Sequence, residues 1–158
     1  RIIKHLNGHT KSTILTLLRE KFEISILKKA TKPSKQHEIT MFIEDEWFKL
    51  VCTPEIIDVE HPVKSLDAQI LTDHVLTPIL NIQDLKKSKD IDFLSGAVCL
   101  EDFEEAIHNK EFKIGFVLFP INIEEIKKVA DNEMIMPPKS TWIEPKLRSG
   151  LTIYNLNE

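Results

Sequence analysis

The chain has 158 residues, 42% hydrophobic and 29% charged, with a formal net charge of -4. That is about one domain with enough apolar residues for a core. Lysines and acids are mixed along it with no extended basic field, which excludes nucleic-acid binding by bulk electrostatics. The longest apolar run, Ile114 to Ile121, falls far short of the ~20 residues of a membrane-spanning helix, and no signal peptide is legible at the N-terminus.

Cys52 and Cys99 are far apart, sit in apolar surroundings and form no Cys-x-x-Cys pair. They read as reduced core thiols of a cytoplasmic protein. Arg1 stands where an initiator Met is expected, which predicts an excised piece of a longer protein lacking its N-terminal part.

Thr10 or Ser12 can cap a first helix, whose Ile14, Leu15, Leu17, Leu18 and Phe22 fall at helical spacing. Glu23 to Leu27 then turns β-branched, and Lys28 to Gln36 is a polar connector. The runs Glu38–Ile43 and Trp47–Cys52 flank the acidic Glu44-Asp45-Glu46, the pattern of two strands joined by a short turn. After a loop from Pro54 to Pro62, Ser65 is placed to cap a long amphipathic helix that buries Leu66, Ile70, Leu71, Val75, Leu76 and Ile79, with Pro78 ending or kinking it.

Ile91 to Leu94 is a short strand candidate. Glu101 to Asn109 reads as a helix with Phe103, Ala106 and Ile107 inward and acids at its positive N-terminal end. Ile114 to Phe119 is apolar without alternation, as for a central strand covered on both faces. Asn122 with Glu125 three residues on resembles a capping box for a helix burying Ile123, Ile126, Val129 and Ala130. Leu151 to Leu156 alternates as a last strand. The order predicts one α+β domain over residues 1–158, a mixed β-sheet including a β-hairpin with about four helices packed on it.

The chemistry concentrates in Met136 to Gly150, where three prolines impose irregular backbone and Lys139, Ser140, Thr141, Lys146 and Arg148 supply cations and hydroxyls. A segment between a helix and an edge of the sheet is where sites in such architectures tend to lie. Phosphate or carboxylate is the natural ligand of that residue set. The equal alternative is a rigid crossover whose cations are solvated while Trp142 and Ile143 pin it to the core. It is not a P-loop, because no Gly-x-x-x-x-Gly precedes Lys139.

The remaining candidates have plainer accounts. His5 and His9 share i, i+4 spacing, but Asn7-Gly8 between them is poor helix and no third ligand is near. No metal is expected. Asp73 and His74, with Asp67 on a different face, read as solvated helix residues. Asp58, Glu60 and His61 form a polar loop with no nucleophile beside it. Ser140 lacks a Gly-x-Ser-x-Gly context and reads as a hydrogen-bonding residue. Trp47 and Phe48 read as core or an interdomain contact.

The run MPPKSTWIEPKLRSGL at residues 136–151 closely resembles the C-terminal signature of the bacterial and archaeal domain of unknown function 1015 family. HEITMFIEDEWFKL, VKSLDAQILTDHVLTPIL, IDFLSG and FVLFPINIEEIKKVADNEMIMPP resemble successive blocks of the same family. The resemblance implies that the chain is a C-terminal half. The family's N-terminal half carries an Asp-Gly-His-His-Arg stretch similar to the ParB and sulfiredoxin-like superfamily, and Asn7-Gly8-His9 is no substitute for it. The chain's own missing N-terminal half is then the expected partner, and this half alone is expected to be inactive.

Free-serine kinases among superfamily relatives imply serine or phosphoserine phosphotransfer for the whole protein, with a nucleotide as candidate cofactor. The expectation is therefore a cytosolic domain binding a phosphorylated small molecule or nucleotide through Lys139, Ser140, Thr141, Lys146 and Arg148. The alternative is a non-enzymatic regulatory or protein-interaction domain of a ParB-like protein. Neither nucleic acid nor membrane is expected as a partner of this half.

Overall fold

The structure, a computed structural model, describes residues 1–109 and 111–141. Ile2–Ile3 (β1), Phe22–Leu27 (β2), Glu38–Ile43 (β3), Glu46–Cys52 (β4), Ile91–Asp92 (β5) and Ile114–Leu118 (β6) form one sheet in the order β2-β4-β3-β6-β1-β5. Every described pairing is antiparallel. Among the described residues four α-helices accompany it: Lys11–Leu18 (α1), Asp67–Leu71 (α2), Leu100–Asn109 (α3) and Ile123–Asp131 (α4). The expected α+β class, with a hairpin in the sheet and about four helices, is what the structure shows.

The hairpin register pairs Ile43 with Glu46, so Glu44 and Asp45 are the two turn residues, with φ of 47° and 61°. Two consecutive left-handed residues give the turn whose twist matches that of the strands. Lys11 at the start of α1 lies 3.2 Å from a Glu44 oxygen and 2.7 Å from a Glu46 oxygen. The acids of this turn are thus bound to a neighbouring helix.

Side chains alternate between two apolar layers, as the pleat requires. Ile3, Met41, Ile43, Phe48 and Phe116 face one core with Ile14, Leu18, Ile70 and Leu71. Ile2, Phe42 and Trp47 face the other with Phe103 and Ile107 of α3. Trp47 and Phe48 are therefore core residues, one on each face, and Trp47 Nε1 donates to Glu104 Oε1 at 2.6 Å. Central β6 is where α3 comes closest: a Cβ at Gly115 would lie 2.6 Å from Ile107 Cδ1 and from Phe103 Cζ.

Several expectations are corrected. The helix expected from Ser65 is regular only over Asp67–Leu71, with Leu66 at the N-cap position. Ser65 Oγ instead donates to Pro62 O at 3.3 Å. Thr72–Leu76 continues as a π-helical turn, with Thr77 N–H donating to Thr72 O at 3.0 Å. That turn accommodates an extra residue and shifts the helical register.

The capping box of α4 is present, with Asn122 and Glu125 satisfying each other's backbone N–H groups. Yet Ile123 is 71% exposed and only Val129 of that helix is buried, because among the described residues no apolar layer covers its first turn. Cys52 and Cys99 are both free, but Cys99 is exposed and not in the core. Burial pushes the Cys52 thiol up to about 12. The last strand expected over Leu151–Leu156 lies outside the described residues.

Candidate functional site

Antiparallel pairing brings the C-terminal end of β6 to the same edge as the N-terminal ends of β1 and β3, since Ile2 pairs with Gly115 and Ile39 with Leu118. A cavity of about 400 Å³ opens at that edge. Its walls come from Arg1, from Lys32 and Gln36 ahead of β3, from Leu66, Asp67 and Ala68 at the start of α2, and from Phe93 to Gly96 after β5. The β6 end and its continuation through Ile121, Val98, Leu100 and Phe103 at α3, Glu125 of α4 and the segment Lys139-Ser140-Thr141 are its other described walls. A cavity of this size, mostly apolar with a few convergent polar groups, is the usual form of a small-molecule site.

Arg1 is the unusual member. The backbone pair with Phe116, Phe116 N to Arg1 O at 2.7 Å and Arg1 N to Phe116 O at 2.8 Å, places it at the cavity floor. Its side chain is only 7% exposed. Nη1 donates to Ala68 O and to Thr72 Oγ1, each at 3.0 Å, and the guanidinium lies 5.7 Å from the Phe93 ring centroid. Nε and Nη2 are buried with no hydrogen-bond partner among the described residues. Burial lowers the guanidinium pKa to about 10, so it is charged at neutral pH. A buried cation with two unmet donor nitrogens is costly unless something supplies acceptors.

The acids of the cavity are, by contrast, largely engaged. Glu125 takes a hydrogen bond from Gln36 Nε2 at 2.6 Å on one oxygen and from Asn122 N at 2.8 Å on the other. Asp67 Oδ1 accepts from His37 N at 2.9 Å and faces His37 Nδ1 at 3.1 Å. Asp67 is 7% exposed, and burial raises its pKa to about 6 against the opposing pull of His37. Its reading as a solvated helix residue is corrected: the shortened α2 turns it inward. His37 adopts φ of 64°, and the hydrogen bond from Cys52 N to its carbonyl, 2.9 Å, fixes that corner of the hairpin.

Of the residues singled out in the sequence, Lys139, Ser140 and Thr141 line this cavity. Lys139 is exposed and adopts φ of 55°, and Ser140 Oγ donates to Pro137 O at 2.7 Å. Lys146 and Arg148 lie outside the described residues. Lys32 adds a third cation to the wall, with Nζ 3.1 Å from Gly96 O. Ser140 has no base within hydrogen-bond distance among the described residues, where its bond to Pro137 is the one recorded.

The other polar clusters are structural. His5 Nε2 lies 3.6 Å from Asp90, and no group of three metal-ligating side chains occurs among the described residues. His61 Nδ1 accepts from Val63 N and Lys64 N, both at 3.2 Å, while Asp58 Oδ1 accepts from His61 N. That loop is a turn held by its own side chains. No helix among the described residues is long and apolar enough to cross a membrane.

Arg1 and the His37–Asp67 pair carry no local signal. Arg1 is remote in sequence from both members of the pair, and His37 and Asp67 are 30 positions apart. Only pairing of β1 with β6 and docking of α2 beside β3 bring them to one cavity.

A model of the family described as "Protein of unknown function (DUF1015)" matches residues 1–69. The chain matches no curated protein and no solved structure. The match runs from β1 to the start of α2, in the N-terminal part of the chain. It corrects the expectation that the chain is a C-terminal half carried by residues 136–151, and with it the missing N-terminal half as partner. The matched residues include the hairpin, whose strands are buried on both faces of the sheet. The run that carried the earlier expectation is a polar, proline-rich segment.

Proposed function

We propose that this protein binds a small anionic metabolite, bearing phosphate or carboxylate, in the cavity floored by Arg1 and flanked by Lys32 and Lys139. The observation that carries this reading is the buried Arg1 guanidinium, whose Nε and Nη2 have no partner among the described residues. Two adjacent N–H donors of one planar fork match two oxygens of a phosphate or carboxylate, and such charge-assisted pairs are the strong ones. A bound anion would offset the desolvation cost that burial imposes on that charge. Lys139, Ser140 and Thr141 at the mouth could add a second cation and hydroxyl donors.

Free cysteines support a cytoplasmic setting. Phosphoserine, ADP and ATP are the ligands to try first, with serine phosphotransfer as the catalytic version of the reading.

Calorimetric titration of the protein with inorganic phosphate, phosphoserine, ADP and ATP tests it, beside Arg1→Met and Lys139→Ala. Saturable binding of at least one phosphate ligand, lost in Arg1→Met and weakened roughly tenfold in Lys139→Ala, is the expected result. Phosphate exchanged between phosphoserine and ADP would add catalysis. Absence of binding by all four would remove the reading and leave an interaction domain as the better account.

A further inference from the structure

The cavity holds, besides its cation, a second buried group with unused bonding capacity. Asp67 is as deeply buried as Arg1, each 7% exposed, and both line the same cavity. The two form no ion pair with each other among the described residues, although Arg1 Nη1 is bound to the carbonyl of Ala68, the residue next to Asp67. Asp67 Oδ1 takes both contacts from His37, and Oδ2 has no hydrogen bond among the described residues. His37 therefore fixes the carboxylate by one oxygen and leaves the other for whatever enters.

We propose that the ligand is zwitterionic, a small molecule whose anionic group meets Arg1 and whose ammonium meets Asp67 Oδ2; this rests on the anion reading and specifies the class of molecule. The buried Arg1 fork lacks acceptors and the second oxygen of Asp67 lacks a donor among the described residues, and one ligand with both charges meets both. A plain anion would satisfy Arg1 but would bring negative charge toward Asp67 and Glu125, which makes the acidic wall a discriminating feature. Glu125 is less suited to receive the ammonium, because both its oxygens already accept hydrogen bonds from Gln36 and Asn122. Asp67 is then a specificity-determining residue and His37 a positioning residue that holds it.

The test compares phosphoethanolamine with ethyl phosphate at pH 8, by calorimetry, on the wild-type protein and on Asp67→Asn. These probes share a phosphate and differ in the amine. The expected result is that the wild type prefers phosphoethanolamine by roughly tenfold or more, as for a hydrogen bond to a charged group. Asp67→Asn should lose that preference while still binding ethyl phosphate. The wild-type comparison stands whether or not the variant folds.

Equal or tighter binding of ethyl phosphate by the wild type would overturn the zwitterion and leave the anion reading standing. Binding of neither would overturn both. A preference for the amine that survives in Asp67→Asn would overturn the role given to Asp67.

Discussion

Arg1 Nη1 donates to Thr72 Oγ1 at 3.0 Å, and the same hydroxyl donates onward to Ala68 O at 2.7 Å. One nitrogen of the guanidinium is thus anchored to α2 and the π-helical turn that follows it, while Nε and Nη2 have no hydrogen bond among the described residues. The anchor aims the fork, and the unbonded edge is what a ligand can use. Arg1→Met keeps the apolar stem and removes a buried charge that is bonded through one nitrogen only among the described residues. Its stability should be unchanged or raised by about 1 kcal/mol, since replacing incompletely paired buried charge by apolar side chain is often neutral or favourable. Anion binding should vanish in the same variant. Urea unfolding and phosphate titration on one sample check both. A loss of several kcal/mol would mean that Arg1 is structural.

Asp67 makes stability depend on pH in a stated direction. Its carboxyl is raised from 3.8 in the unfolded chain to about 6 in the fold, by burial first, with the His37 contacts opposing and the Glu125 charge adding. Between those values the native state holds a proton that the unfolded state has released. This contribution therefore favours folding at the low end of the window and declines as pH rises through it, by on the order of 3 kcal/mol. Above about pH 7 and below about pH 3 it is flat. The difference in urea midpoint between wild type and Asp67→Asn, followed from pH 3 to 8, should show that slope. A difference that rises with pH would reverse the assignment.

Gly115 is required by packing. A Cβ there would come within 2.6 Å of Ile107 Cδ1 and Phe103 Cζ, and both side chains belong to the buried layer under α3. Gly115→Ala should cost about 1–3 kcal/mol by displacing α3 from the central strand. Chemical denaturation measures it, and a change below about 0.5 kcal/mol would show that α3 shifts freely.

Asn122 caps α4 reciprocally with Glu125, through Glu125 N to Asn122 Oδ1 at 2.9 Å and Asn122 N to Glu125 Oε2 at 2.8 Å. Asn122→Ala should lower stability by about 1 kcal/mol. It also loosens Glu125, the acid of the cavity wall held from its other side by Gln36. Unfolding curves of Asn122→Ala and Glu125→Gln check the cap, and a midpoint unchanged in both would show that α4 contributes little to the cooperative unit.

Much of the fold was legible because local rules governed it. The hairpin followed from two apolar runs around an acidic turn, and the left-handed Glu44 and Asp45 agree with the tight register observed. β6 was legible as central because both its faces are covered. The capping box at Asn122 was read from a three-residue spacing. Where neighbours in space decided, local pattern misled: the helix after Ser65 broke into a short α segment and a π turn. Ile123 stayed exposed despite its helical spacing, and Cys99 despite its apolar neighbours.

The site divides the same way. Lys139, Ser140 and Thr141 stood out because cations and hydroxyls crowd a proline-rich segment, and they line the cavity. Arg1, His37 and Asp67 did not stand out, since an arginine at the first position and a histidine 30 residues from an aspartate have no signature in one dimension. The sequence by itself determined the α+β class, the hairpin and the two-faced sheet, because strand alternation and capping are short-range consequences of side-chain chemistry. Only the tertiary structure decided which charges lose their water, because burial of Arg1 and Asp67 is set by antiparallel pairing of distant strands and by the helix that closes over their ends.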